Sequence, residues 1–176
     1  MAIYFTSDLH LGHENIIRFQ NRPFTNANEM NKVLITNYNA VIRPDDTVYI
    51  LGDLCFRMPS LEAANEIISS MNGKKILIRG NHDKQYNERL FTQIKDFETL
   101  KIHEPGNAFF AMMHYPMLSW PHSHHGSIQL HGHVHGTRED NENNLLEGVR
   151  RYDVGVDAND YYPVSLNKIL EFFSML

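Results

Sequence analysis

Hydrophobic residues along the chain fall in short runs, and their spacing switches between two periods. Residues 2–7 (AIYFTS), 47–51 (TVYIL) and 74–79 (KKILIR) are compact apolar segments with many branched and aromatic side chains, which predicts three buried or half-buried strands. Between them the apolar positions recur at helical spacing. Asn15 to Phe19 predicts a short helix. Met30, Val33, Leu34, Asn37 and Val41 predict a longer one capped by Asn26 or Asn28. Pro44-Asp45-Asp46 is a turn signal. Leu61, Ala64, Ile67, Ile68 and Met71 predict a third helix, capped by Ser60 and ended at Asn72-Gly73. This βαβαβ opening implies parallel strands with right-handed crossovers.

Past Arg79 the pattern changes. A helix is expected near 84–94, followed by strands at FETLKIH, NAFFAMMH, SIQLHG and RRYDVGVD, with Glu104-Pro105-Gly106-Asn107 as a hairpin turn. The second half therefore reads as antiparallel or mixed. Leu166 to Phe173 closes the chain as a helix capped by Ser165. Ser119 to Ser127, rich in His and Pro, and Thr137 to Glu147, polar and acidic, break the apolar pattern and are expected to be mobile surface loops. No internal repeat or linker interrupts the chain, so residues 1–176 are expected to form one domain.

Composition narrows the class. The chain is 42% hydrophobic and 21% charged, ordinary for a globular protein, and no apolar stretch approaches the ~20 residues of a membrane span. The first residues lack a basic segment ahead of an apolar core, so no secretory signal is expected. The single cysteine, Cys55, cannot form an internal disulfide and suits a reducing compartment, which predicts a cytoplasmic protein. It is also a poor nucleophile candidate, because no base adjoins it in sequence. A net charge of −5 argues against a general nucleic-acid partner, less strongly if bound cations offset it. A homodimer surface is conceivable around Trp120 or Phe172-Phe173.

The chemistry concentrates where apolar runs end. Asp8-Leu9-His10, Gly52-Asp53, Gly80-Asn81-His82-Asp83, His114 and Gly132-His133-Val134-His135 each follow an apolar segment. In an open α/β fold, ligands bind beyond the carboxyl ends of the strands, so the five clusters would converge on one site. Seven of the eleven histidines lie between His114 and His135, a concentration that points to metal or acid–base work. Imidazole nitrogen with carboxylate and amide oxygen suits divalent first-row metals, and two neighbouring ions need a bridging ligand. Asp53, in a tight turn beside Gly52, fits that bridge. His133 and His135, two residues apart on a strand, would share one face.

The motif order Asp-x-His, Gly-Asp, Gly-Asn-His-Asp, a lone His and Gly-His-x-His resembles the calcineurin-like metallophosphoesterase superfamily, in its small, cap-free, prokaryotic or phage-type form. The segment Asp153 to Leu166 also resembles its closing strand and helix. The resemblance implies an α/β fold, a four-layer α/β/β/α sandwich with two mixed sheets. It implies that Asp8, His10, Asp53 and His135 hold one metal, and that Asp53, Asn81, His114 and His133 hold the second. A metal-bridging hydroxide would attack phosphorus, and His82 would protonate the leaving oxygen. Manganese is the favoured ion, with Fe, Zn, Ni or Co as alternatives.

His13 is a candidate for touching substrate phosphate, or else a helix cap. Arg57 is a candidate phosphate ligand, with a surface ion pair the more ordinary expectation. His122, His124 and His125 read as a solvated loop, Asp83 as a tie for its own turn, His103 and His131 as satisfied sheet residues, and Met112-Met113 as core. The expected function is hydrolysis of phosphoesters on a small phosphorylated substrate, leaning to phosphodiesters, among them nucleotide-derived ones. The rivals are a phosphomonoesterase, including a protein phosphatase, and a non-catalytic scaffold module.

Overall fold

The computed structural model describes residues 1–104 and 107–174. Its first sheet is built as the alternating periods require. β1 (Ile3–Thr6), β2 (Thr47–Ile50), β3 (Lys74–Ile78) and β4 (Gln93–Lys95) lie parallel in the order β4-β3-β2-β1, and β9 (Val164–Ser165) adds an antiparallel edge beside β1. The crossovers run through α1 (Glu14–Phe19), α2 (Ala27–Val41) and α3 (Leu61–Ser69). Asn26 caps α2 by accepting from Glu29 N, and Ser60 caps α3 by accepting from Ala63 N, each cap contributing about 1 kcal/mol. Met30, Leu34 and Tyr38 of α2, with Ala64 and Ile68 of α3, bury against Val48, Ile50 and Leu77 of the sheet.

The second sheet has the order β5-β6-β7-β8: β5 (Glu98–Ile102), β6 (Ala108–Met112), β7 (Ile128–His131) and β8 (Arg151–Asp153). β5 and β6 are antiparallel, whereas β6, β7 and β8 are parallel, so this sheet is mixed as expected. The hairpin turn expected at residues 104–107 lies partly outside the described residues. The inner faces of the two sheets meet through Phe5, Tyr49, Leu51 and Ile78 from one and Phe110, Met112, Ile128, Leu130 and Tyr152 from the other. Phe5 and Phe110 touch across this core, with ring centroids 5.9 Å apart. α5 (Leu166–Phe173), capped by Ser165, closes it with Leu166, Ile169 and Phe173. The order of layers is helices, sheet, sheet, and then α4 (Arg138–Leu146) against β8.

Three expectations are corrected here. Residues 84–94 are not a helix: a 3-10 turn at Glu88–Leu90 leads into β4, because Asn87 caps only one turn and Phe91 drops into the core. Thr137–Glu147 is not a loop but holds α4, started by a capping box in which Thr137 and Asp140 serve each other's backbone. Almost all of α4 is polar, so apolar periodicity carried no trace of it. Its buried Asn141 is instead clamped to the β8 backbone, accepting from Asp153 N at 2.7 Å and donating to Asp153 O at 3.0 Å.

The third concerns the strand ends. RRYDVGVD is a strand only as far as Asp153, and Val156–Asn159 forms a 3-10 turn. His103 lies exposed just past β5 rather than within it. Phe173 is buried and Phe172 packs against the same core, so this pair serves the fold rather than an exposed face. Trp120 is half-buried and donates from Nε1 to Ser127 O. Residues Ser123–His125 form a 3-10 turn, with His122 against the Phe109 ring. Met112 is core and Met113 half-buried. Among the described residues, no helix is long and apolar enough to cross a membrane.

Candidate metal centre

Parallel strands in both sheets end on the same side, and the polar clusters follow them. Asp8 leaves β1, Asp53 leaves β2, Asn81 leaves β3, His114 leaves β6, and His133 and His135 leave β7. A bridge between Ser7 and Gly155 joins the two sheets at this edge. The loops are held against one another by backbone bonds: Asp8 N donates to Gly52 O, and His10 N to Asp53 O.

Five of the seven expected metal ligands have left-handed backbone: Asp8, His10, Asp53, His133 and His135, with φ between 50 and 72. Such φ values are uncommon outside glycine and collect at functional sites. They also correct one expectation. His133 and His135 lie beyond β7, and it is their left-handed turn, not strand alternation, that aims them. Glycines let the loops close. A Cβ on Gly52 would lie 2.6 Å from both Gly80 N and His114 Nδ1, and one on Gly132 would collide with Ser7 Oγ and Asp8 Oδ2.

The side chains converge. Asp8, His10 and His135 bring ligand atoms within 4.8 Å of one another, and so do Asp8, Asp53 and His114. Asp53 Oδ2 lies 3.4 Å from His10 Nε2 and 3.7 Å from His114 Nε2, standing between the two groups. Asn81 Oδ1 faces His114 Nε2 at 3.0 Å and His133 Nδ1 at 3.1 Å. Asp8 reaches both groups, which the resemblance did not imply. His114 Nδ1 donates to Leu51 O at 2.8 Å, which leaves its Nε2 lone pair facing the site.

Electrostatics ask for cations. Asp8 is buried, and burial pushes its carboxyl up to about 8, helped by the nearby Asp153 and Asp53 and opposed by His135. Burial, with His135 and Arg22 nearby, pulls His10 down to about 2, so that ring is neutral. Burial, then His114, likewise lowers His133. Asp8 Oδ1 and His10 Nε2 are both buried and have no hydrogen-bond partner among the described residues. Buried polar atoms are seldom left so, and two ligand-type atoms orphaned side by side fit a divalent ion.

Several supporting roles were not read from the sequence. Asp157, four residues past β8, accepts from His135 Nδ1 at 2.9 Å. The buried Arg22 grips Asp157 through Nε at 2.8 Å and Nη2 at 2.7 Å, and also donates to the carbonyls of Asp8 and Leu9. Burial would raise Asp157, but the bonds from His135 and Arg22 outweigh it and hold the carboxyl below its ordinary range. Asp83 ties more than its own turn: it accepts from Gly80 N, Asp53 N and Leu54 N. Asp153 anchors Gly136 N and Gly155 N. Asp157 had a sequence signal, since it too follows an apolar strand run.

The remaining candidates divide. His82 is half-buried; its backbone N donates to Asp53 Oδ1, and its ring lies 4.3 Å from Phe56 and 5.6 Å from His10. His13 starts α1 but makes no capping bond, and its Nδ1 sits 3.3 Å from His10 Nδ1, so it belongs with the site. Arg57 pairs with no carboxylate among the described residues; its guanidinium lies over the Phe56 ring, 5.2 Å from the centroid. His131 is buried but only half satisfied: Nδ1 donates to Gly132 O, and Nε2 has no partner among the described residues. Cys55 is buried and its thiol is pushed up to about 12 by burial and Asp83. Iodoacetamide is therefore expected to spare the native protein at neutral pH and to label one thiol per chain only after unfolding in guanidinium; rapid native labelling would contradict this environment.

Two facing mixed sheets whose strand ends gather carboxylates, imidazoles and an amide define a metal-dependent hydrolase architecture. The calcineurin-like phosphoesterase family model matches residues 1–158, and the chain belongs to that family. It is 37% identical over 169 residues to the uncharacterized protein MJ1445 of Methanocaldococcus jannaschii, covering 96% of this chain and 89% of that one. It is 25% identical over 189 residues to the Gene 66 protein of Mycobacterium phage D29, covering 92% of each. The crystal structure of the protein of unknown function AQ665 from Aquifex aeolicus superposes with a TM-score of 0.73 at 27% identity, covering 97% of this chain and 98% of that one. Membership makes this chain a phosphoesterase of a metal-dependent family, with ligand groups in place for metal.

Proposed function

We propose that the protein hydrolyses phosphodiesters of small, soluble, phosphorylated molecules, nucleotide-derived ones among them, at a two-metal centre. The observation that carries this reading is the orphaned pair Asp8 Oδ1 and His10 Nε2, facing His135 and Asp53. Asp8, His10, Asp53 and His135 would hold one ion, and Asp53, Asn81, His114 and His133 the other, with Asp53 shared. Manganese suits this mixed nitrogen and oxygen set. Divalent cations there supply neutralisation of the phosphoryl oxygens and water activated at neutral pH.

The chain's own residues do the rest. His82 stands beside the site with an open cavity of about 280 Å³ against it, lined by Phe56, Arg57, His82, Lys84 and Gln85. A leaving group placed there meets an imidazole able to give it a proton, and two exposed cations that offset its charge. Asn81 and His133 form an exposed rim, which admits an ester with groups on both sides of phosphorus. The lone buried cysteine supports a cytoplasmic setting.

The test is hydrolysis of bis-p-nitrophenyl phosphate and p-nitrophenyl phosphate with Mn²⁺, with and without EDTA. Turnover of the diester above the monoester, abolished by EDTA and restored by metal, is expected. Faster monoester turnover would favour a phosphomonoesterase. No turnover with any divalent ion would favour a scaffold.

A further inference from the structure

We infer that Arg22 and Asp157 are positioning residues that fix the tautomer and aim of His135, and so set the affinity of one of two metal sites. The inference rests on the two-metal reading. An ionised carboxylate only accepts, so Asp157 Oδ2 at 2.9 Å requires the proton of His135 to sit on Nδ1. That leaves the Nε2 lone pair 4.0 Å from Asp8 Oδ1, an atom with no hydrogen-bond partner among the described residues. A carboxylate behind a metal-ligating histidine in this way fixes ring orientation and raises ligand basicity.

Arg22 extends the arrangement to the next ligand. Its side chain is fully buried, where an unpaired guanidinium would be costly, and each nitrogen has a partner. Nε and Nη2 fork onto both oxygens of Asp157, Nη2 also donates to Asp8 O at 2.8 Å, and Nη1 donates to Leu9 O at 3.1 Å and meets Met30 Sδ at 3.4 Å. One cation thus fixes both the partner of His135 and the backbone that carries Asp8. The residues come from far apart in the chain: Arg22 follows α1, and Asp157 follows β8. The other half of the centre is oriented separately, since His114 leans on Leu51 O. The two halves should therefore respond differently to loss of Asp157.

The test titrates metal-free protein with Mn²⁺, read by calorimetry and by the electron paramagnetic resonance signal of coupled ions. Wild type is expected to take two ions per chain. Asp157→Asn is expected to weaken one of them by about 10–100-fold and leave the other unchanged, so that the coupled signal fades at limiting Mn²⁺. Arg22→Lys, which keeps the charge and loses the fork, should shift the same ion in the same direction. Because Asp157→Asn leaves Arg22 short of a charge, Asp157→Glu provides a folded alternative, with partial recovery of the weakened site expected. Unchanged affinity for both ions in a folded Asp157 variant, or equal weakening of both, overturns the positioning role while leaving the two-metal reading intact. Failure of wild type to bind metal sinks the two-metal reading itself, and the positioning role with it.

Discussion

Asp53→Ala is expected to empty the centre and to lower turnover by at least about 10³-fold, since several kcal/mol of transition-state stabilisation leave with the cations. Asp53 Oδ2 lies within 3.7 Å of both His10 Nε2 and His114 Nε2, so neither half keeps its geometry without it. The fold itself should survive. Asp8 and Asp83 both carry pKa values raised first by burial and further by the nearby charge of Asp53, so removing that charge relieves repulsion. Against this stands the loss of an acceptor for His82 N, at roughly 1–3 kcal/mol. Asp53→Asn keeps that acceptor and isolates the charge. Elemental analysis should find metal lost from both variants, and thermal denaturation should show wild type gaining stability with Mn²⁺ while the variants do not. A linkage gain of about 4 kcal/mol at metal a thousandfold above Kd makes that contrast large. Two ions retained per Asp53→Ala chain would remove Asp53 from its bridging place.

The fold was legible wherever burial follows a period. The strands at residues 2–7, 47–51 and 74–79 and the caps Asn26, Ser60 and Ser165 stand where pattern and capping chemistry placed them. α4 was not legible, because all its side chains but the closing Leu145 and Leu146 are polar and its order comes from a capping box and from Asn141 gripping Asp153. The segment 84–94 misled because one capped turn with Phe91 and Ile94 can imitate helical spacing, while pairing with β3 is a tertiary choice.

At the site, the ligand candidates were visible as polar clusters after apolar runs, and the structure brings all seven to one edge. Their aim was not visible, because left-handed φ at Asp8, His10, Asp53, His133 and His135 is imposed by loops bonded across the two sheets. The supports Arg22 and Asp157 were hidden for a related reason. They pair with each other across 135 residues of sequence, a relation no local pattern contains. Asp157 follows an apolar strand run as the ligand candidates do, but RRYDVGVD read as continuous strand concealed the end.

His82→Ala is expected to keep both metal ions and to lower kcat by about 10²–10⁴-fold on esters with poor leaving groups, the range a positioned general acid supplies. The geometry separates this residue from the ligand candidates. Its backbone N is held by Asp53 Oδ1, while the ring makes no hydrogen bond to protein among the described residues and faces the cavity beside Phe56 and Arg57. Only the ring is lost in the alanine variant, so the bond that steadies Asp53 remains. An alkoxide needs a proton as it departs, whereas p-nitrophenolate leaves readily without one. The loss should therefore be severe for a dialkyl diester, which must expel an alkoxide, and slight for bis-p-nitrophenyl phosphate, giving a steeper dependence of rate on leaving-group basicity than in wild type. Elemental analysis of the same preparation separates this from metal loss. Wild-type rates on the poor leaving group with metal in place would show that His82 does not supply the proton.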